Sequence, residues 1–234
     1  MGNALCSAAL TSLTAESFAS KAGAVPGALI RLCAEGQRRL WGLRLGRLYA
    51  FGIGFSYAVM VFLAPESLPT AANLWGRALA TVSWVAGVGA LTLATDLAAR
   101  DASLGLTGLA RLRGFGEPQL ERARAVAGAL RLSTTVLVPG LMVALAVLLR
   151  FRTLQGSAVA VGLVLATLPY AVLVGSMLAF LARACSLWLP GRGRLLLLAL
   201  VLGPWLLDLG LNVAIPSIPR ALGWLLHLLS RGLR

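Results

Sequence analysis

Charged side chains are scarce in this sequence. They make up 12% of the 234 residues, whereas a soluble globular domain carries about 25%. Hydrophobic residues make up 59% of the chain, and its mean hydropathy is +0.85. With so few polar residues the chain cannot form the polar surface of a water-soluble globular protein. The composition therefore excludes that class of protein. It predicts an all-α polytopic membrane protein, because a helix satisfies its own backbone hydrogen bonds in lipid.

Lysine, histidine and cysteine are also scarce, and each shortage excludes a class of site. Lys21 is the single lysine and follows Ser20, so the chain lacks the Gly-Lys pair of a nucleotide-hydrolysing P-loop. His227 is the single histidine, and the three cysteines show no CxxC spacing. These residues predict neither a metal centre nor a disulfide framework. We therefore expect no cofactor and no ATP-hydrolysing activity in the chain itself.

Acidic residues are few, eight against 21 basic ones, and the net charge is +13. The basic residues, almost all arginine, cluster between long apolar runs, which is typical of membrane topology and not of a nucleic-acid groove. With the N-terminus inside, the inside segments hold fifteen basic residues and the outside segments three, Arg77, Arg150 and Arg152. The positive-inside rule therefore predicts a cytoplasmic (inner) membrane protein with a cytoplasmic N-terminus.

The hydropathy pattern divides the chain into an N-terminal segment over 1–28, an amphipathic helix over 29–47 and one transmembrane domain over 48–234. On a helical wheel, Arg31 and Glu35 lie opposite Cys33, which predicts a helix in the headgroup layer. Since a bilayer core requires about 20 apolar residues, we expect five to six transmembrane helices. The predicted spans are 48–65, 74–97, 126–149, 157–182 and 195–215, with a short C-terminal helix over 220–230.

Small residues recur at every fourth position in three of these spans, which allows helix backbones to approach closely. The predicted helix-packing stripe of the first span is Gly42, Gly46, Ala50, Gly54 and Ala58. Similar stripes are Ala86, Ala90, Ala94 and Ala98 in the second span and Ala158, Gly162 and Ala166 in the fourth. Tryptophans near the predicted boundaries indicate aromatic belts; they are Trp41, Trp75, Trp188 and Trp224.

The loop over 96–131 is the longest segment predicted to be cytoplasmic. Its pattern predicts a short amphipathic helix, a glycine turn at 114–116 and a new helix that begins at Glu117-Pro118. Exposed leucines in such a loop should dock on lipid or on a protein. The predicted docking residues are Leu106, Leu109, Arg111, Leu112, Arg113 and Phe115.

This arrangement resembles the permease subunits of ABC-type exporters, in which a cytoplasmic helix between spans two and three presses on a separate ATPase subunit. The residues that carry the resemblance are Arg100-Asp101, Gly105-Leu106, Leu109, Arg111 and 124–127. The resemblance implies a separate ATPase subunit and a second permease chain as partners, besides the lipid bilayer, and no nucleic acid. Two features depart from the family: the sixth span is short, and the hairpin before it is reduced to 215–219.

Apart from Asp96, at the inner end of the second span, Asp208 is the one acid inside a predicted span. A charge is costly there, so Asp208 is a candidate site for a substrate, a proton or another subunit. A structural role, with hydrogen bonds to Trp205 or Asn212, is the other interpretation. Two further functions stay open: a non-transporting membrane subunit or scaffold, and an intramembrane enzyme. For the enzyme, Ser176 and His227 are the only candidate nucleophile and base, without an orienting acid nearby in the sequence.

The arginine distribution generates a test of topology. Ser67→Cys and Ser103→Cys, introduced singly, should react with an impermeant thiol reagent from opposite sides of the membrane, because the positive-inside rule places 103–116 in the cytoplasm and 65–70 outside. Labelling is measured in sealed cells and in inverted vesicles. Reaction of both cysteines from the same side would contradict the predicted topology.

Overall fold

The computed structural model describes residues 27–38, 40–63, 67–95, 105–189 and 191–201, and within these ranges all regular structure is helical. The helices are α1 (Gly27–Arg38), α2 (Trp41–Leu63), α3 (Leu68–Leu93), α4 (Leu106–Leu112), α5 (Glu117–Arg150), α6 (Leu154–Trp188) and α7, which covers 193–201. The predicted helix over 220–230, and Asp208, lie outside the described residues.

Four helices, α2, α3, α5 and α6, are long and apolar enough to cross a membrane. The chain is therefore a multi-pass helical membrane protein. Of the five to six predicted spans, four fall on these helices, while the predicted fifth, 195–215, extends beyond the last described residue. Short connections join α2 to α3 and α5 to α6 at one end of the bundle. We call the other end, where α3 ends and α5 begins, the α4 end.

The predicted interfacial helix over 29–47 is two helices in the structure. The first ends at Arg38, and residues from Trp41 onward belong to the first candidate span. Beyond the break, the Leu40 N–H donates to the Gln37 carbonyl over 3.1 Å, and Arg44 Nε donates to the Arg38 carbonyl over 2.7 Å. The Arg44 side chain thus supplies a donor to the carbonyl at the last residue of α1. The position of α1 in the headgroup layer stays a prediction.

Helix α5 is the centre of the bundle, since it contacts α1, α2, α3 and α6. Trp75 is fully buried, and its indole Nε1 donates to Thr167 Oγ1 of α6 over 3.0 Å. The prediction that Trp75 belongs to an aromatic belt is therefore wrong: its polar atom has a partner inside the bundle, so the ring can fill the core. Trp41 and Trp188, 72% and 83% exposed, lie at the α4 end.

The first packing stripe faces two neighbouring helices. A Cβ on Gly42 would meet Thr92 of α3, and one on Gly54 would lie 2.7 Å from the Pro139 Cα of α5. In the second stripe the described members are Ala86, Ala90 and Ala94, and all are buried. The third stripe is wrong at its start, because Ala158 is exposed. Helix α6 packs there through Gly156, Ala160 and Leu163 instead.

The contact between Gly54 and Pro139 generates a prediction with a matched control. Gly54→Ala should destabilise the bundle by about 1–3 kcal/mol, because a methyl group does not fit against the α5 backbone. Gly52→Ala, half a turn away with nothing within 4 Å of its Cβ, should be neutral or slightly stabilising. Thermal unfolding in detergent measures both. Equal midpoints for the two variants would contradict this packing.

Candidate functional site

A second, smaller hydrophobic core lies at the α4 end. It is formed by α1, α4 and the first turns of α5, and its buried members are Leu29, Cys33, Ala110, Leu120, Ala123 and Ala127. We call α1, α4 and residues 117–130 of α5 the platform. At 1.5 Å per residue, 117–130 is about 20 Å long. Beyond it, the stretch from Arg131 to Arg150 contains no other charge and is about 28 Å long, close to the thickness of a bilayer core.

Two glycines determine where α4 begins and ends. Gly105 precedes the helix with φ of +73°, and Gly114 follows it with φ of +76°, a conformation that only glycine adopts readily. The Gly114 N–H donates to the Arg111 carbonyl over 2.9 Å, and the Phe115 N–H donates to the Ala110 carbonyl over 3.0 Å. This is a Schellman motif, and it turns the Phe115 side chain back onto Ala110 in the second core. The predicted glycine turn at 114–116 is confirmed.

A cluster of charges joins α4, α5 and α6. Arg124 has a side chain only 1% exposed and pairs with Glu121 of the same helix. Glu121 also pairs with Arg183 of α6, and Glu117 lies 3.4 Å from Arg111 of α4. Because Glu117 pairs with Arg111 of α4 and Glu121 pairs with Arg183 of α6, the cluster fixes the start of α5 to both neighbours. No motif indicated it, since Glu121 and Arg183 are far apart in the sequence.

Helix α1 docks on α5 through buried polar contacts as well as apolar ones. Gln37, which is buried, donates from Nε2 to the Arg124 carbonyl over 3.0 Å. Arg131 Nη2 donates to the carbonyl of Ala34. These bonds specify one register of α1 on α5, because a displaced α1 would leave buried donors unsatisfied.

The six predicted docking residues divide into two groups. Phe115 is partly buried and packs against the second core, and Leu106 is half-buried. Leu109 and Leu112 are 48% and 87% exposed, and Arg111 and Arg113 beside them are also exposed. The structure therefore brings four residues, Leu109, Arg111, Leu112 and Arg113, to one outward surface. We call this the α4 surface.

The intramembrane-enzyme hypothesis gains no support from the described residues. Ser176 is exposed on the bundle, and its hydroxyl donates to the Val172 carbonyl one turn earlier. His227 lies outside the described residues. Among the described residues there is also no group of three His, Cys, Asp or Glu side chains that could hold a metal ion.

The charge cluster generates a stability prediction. Glu121→Gln should destabilise the protein by about 3 kcal/mol, because it leaves the buried Arg124 and the nearby Arg183 without their shared carboxylate. Glu35→Gln removes the same charge from a pair with Arg38 whose side chains are 67% and 65% exposed, and it should cost less than about 1 kcal/mol. Thermal unfolding in detergent compares the two variants. A cost for Glu35→Gln as large as that for Glu121→Gln would contradict a specific role for the cluster.

No protein-family model, curated protein or solved structure matches this chain. Its candidate function therefore depends on its own geometry: four candidate spans, a platform fixed to the central helix, and an exposed surface of two leucines and two arginines on that platform.

Proposed function

We propose that this chain is the membrane-spanning subunit of an ABC-type exporter. In this proposal, a separate ATPase subunit docks on the α4 surface and couples ATP hydrolysis to movement of a substrate across or out of the membrane. The observation that carries the proposal is the exposure of Leu109 and Leu112 on α4, a helix that packs on the second core through Ala110 and Phe115. Exposed leucines between arginines are suited to a protein cleft with an acidic rim.

The attachment of α4 supports a mechanical role. Phe115 anchors α4 in the second core, and the pair between Arg111 and Glu117 connects it to the first turn of α5. Helix α5 then continues without interruption to Arg150 and contacts each of the other three candidate spans. A force applied to the α4 surface would therefore reach the other three candidate spans through α5.

A second permease chain is part of this proposal, and α2 offers a surface for it. Only 17% of the apolar window of α2 is buried, against 44% or more in the other three candidate spans. A groove of about 550 Å³ runs along α2 next to α3. Its walls combine hydroxyl groups with apolar side chains, which suits a helix of another chain. The lining residues are Leu45, Leu48, Tyr49, Gly52, Ile53, Ser56, Tyr57 and Thr81.

The alternative function is a non-transporting membrane subunit or scaffold. One observation favours it: polar side chains in the core of the bundle bind each other. Trp75 donates to Thr167, and the hydroxyls of Ser83 and Tyr170 lie 2.9 Å apart. A path for a polar substrate would need such groups to be accessible. In the exporter proposal, the path therefore lies at a surface shared with the second chain.

The α4 surface generates the decisive test. Leu109→Ala with Leu112→Ala should release the ATPase subunit or uncouple its hydrolysis from transport, with a loss of about 2 kcal/mol or more of binding free energy. Phe115 is unsuitable as a test position, because its truncation would disturb the second core. Co-purification in mild detergent and ATP hydrolysis in vesicles provide the measurements.

A matched control is available at the opposite end of the bundle. Leu149 and Leu154 are 49% and 90% exposed, almost the same as Leu109 and Leu112. Leu149→Ala with Leu154→Ala removes equal apolar area and should leave the ATPase bound. Arg111→Ala alone should have a smaller effect that fades at high salt. If the Leu109 and Leu112 variant keeps its ATPase and all ATP-dependent activity, the coupling proposal is wrong.

A further inference from the structure

Four arginines from three helices meet where the platform joins the apolar part of the bundle. They are Arg38 of α1, Arg44 and Arg47 of α2, and Arg131 of α5, and we call them the arginine cluster. Arg44 Nε donates to the Arg38 carbonyl over 2.7 Å. Arg47 Nη2 donates to Thr134 Oγ1 over 3.2 Å, and Thr134 Oγ1 donates to the Arg131 carbonyl over 2.9 Å.

Arg131 is the least exposed member of the cluster, with 9% of its surface accessible. Its Nη2 donates to the Ala34 carbonyl, but its Nε is buried and has no hydrogen-bond partner in the described part of the chain. Among the described residues, Arg47, Arg38 and Arg44 place like charges near it, and Glu35 is the one acid nearby. An arginine with an unused buried donor and like charges around it favours the binding of an anion, because an anion accepts hydrogen bonds and reduces the repulsion between the guanidinium groups.

The acid nearby does not supply that anion. Glu35 lies 3.1 Å from Arg38 on the exposed face of α1, and it neutralises one of the four positive charges. The cluster therefore keeps an excess of positive charge within the described residues. In the charge cluster around Glu121, by contrast, protein carboxylates contact the buried arginine directly.

The depth of the cluster identifies the source of the anion. Arg131 marks one end of the uncharged stretch of α5, which is about 28 Å long and ends at Arg150. Since this length matches a bilayer core, Arg131 lies where lipid phosphates begin. Phe51 and Phe55 lie on the same face of α2 as Arg44, two and three turns further along the helix. They are 53% and 57% exposed, as expected of side chains that contact acyl chains.

We propose that the arginine cluster is a binding site for the phosphate of one anionic phospholipid, whose acyl chains lie along Phe51 and Phe55. Guanidinium groups donate to phosphate oxygens in charge-assisted hydrogen bonds, and the planar fork suits bidentate contacts. Basic pockets between transmembrane helices bind anionic headgroups on this principle. The bound lipid joins α1, α2 and α5, and it thereby holds the platform at the membrane surface.

The test uses the full chain in a neutral detergent and native mass spectrometry. Titration with phosphatidylglycerol should show one lipid bound at least tenfold more tightly than phosphatidylcholine, whose choline group cancels the phosphate charge. Arg44→Gln with Arg47→Gln should weaken phosphatidylglycerol binding about 25-fold, at about fivefold for each arginine near the membrane surface. Both side chains are at least partly exposed, so this variant should fold.

The control is Arg150→Gln with Arg152→Gln, which removes the same charge from exposed positions at the other end of the bundle. It should bind phosphatidylglycerol as the wild type does. Equal binding of the two lipids, or equal weakening by the two double variants, would overturn the proposal. Inorganic phosphate at matched concentration should not compete with the lipid; if it does so fully, the site takes a free anion and the lipid assignment is wrong.

Discussion

A helix of 34 residues is about 51 Å long, roughly 20 Å more than a hydrocarbon core can cover. Helix α5 has this length, and the 14 residues before Arg131 need partners of their own. Two short helices, α1 and α4, supply the apolar cover, and the carboxylates of Glu121 and Glu117 supply the charge balance for Arg124. The platform exists because the central helix extends past the apolar part of the bundle.

Two arginines of α5, Arg124 and Arg131, have different surroundings, and the difference follows from their positions along the helix. Arg124 lies within the platform, where carboxylates of the protein balance it. Arg131 lies two turns further along the helix, at the start of its uncharged stretch, and the protein offers one carbonyl oxygen to its guanidinium there. In our proposal, lipid phosphate takes the role there that Glu121 has in the platform. Contacts within the protein and contacts with the bound lipid would then both hold α1 against α5.

The exposure pattern of α4 separates structural residues from residues available to a partner. Ala110 and Phe115 face the second core, whereas Leu109 and Leu112 face outward. Full burial of a leucine side chain contributes about 1.5–3 kcal/mol of favourable free energy. Two exposed leucines could therefore contribute substantially to the binding of a partner. This supports a docking role in either functional proposal, and the nature of the docked partner distinguishes an exporter subunit from a scaffold.

The sequence by itself determined the features that depend on local signals. Long apolar runs predicted the four described candidate spans, and Gly114 and Pro118 marked the turn after α4 and the start of α5, because glycine and proline restrict the backbone wherever they occur. Only the tertiary structure decided which side chains turn inward. Trp75 lies in the core because Thr167 of α6 accepts its N–H, and Arg131 reaches a carbonyl 97 residues away. Such pairings depend on how helices pack, and hydropathy along one helix contains no information about its neighbours.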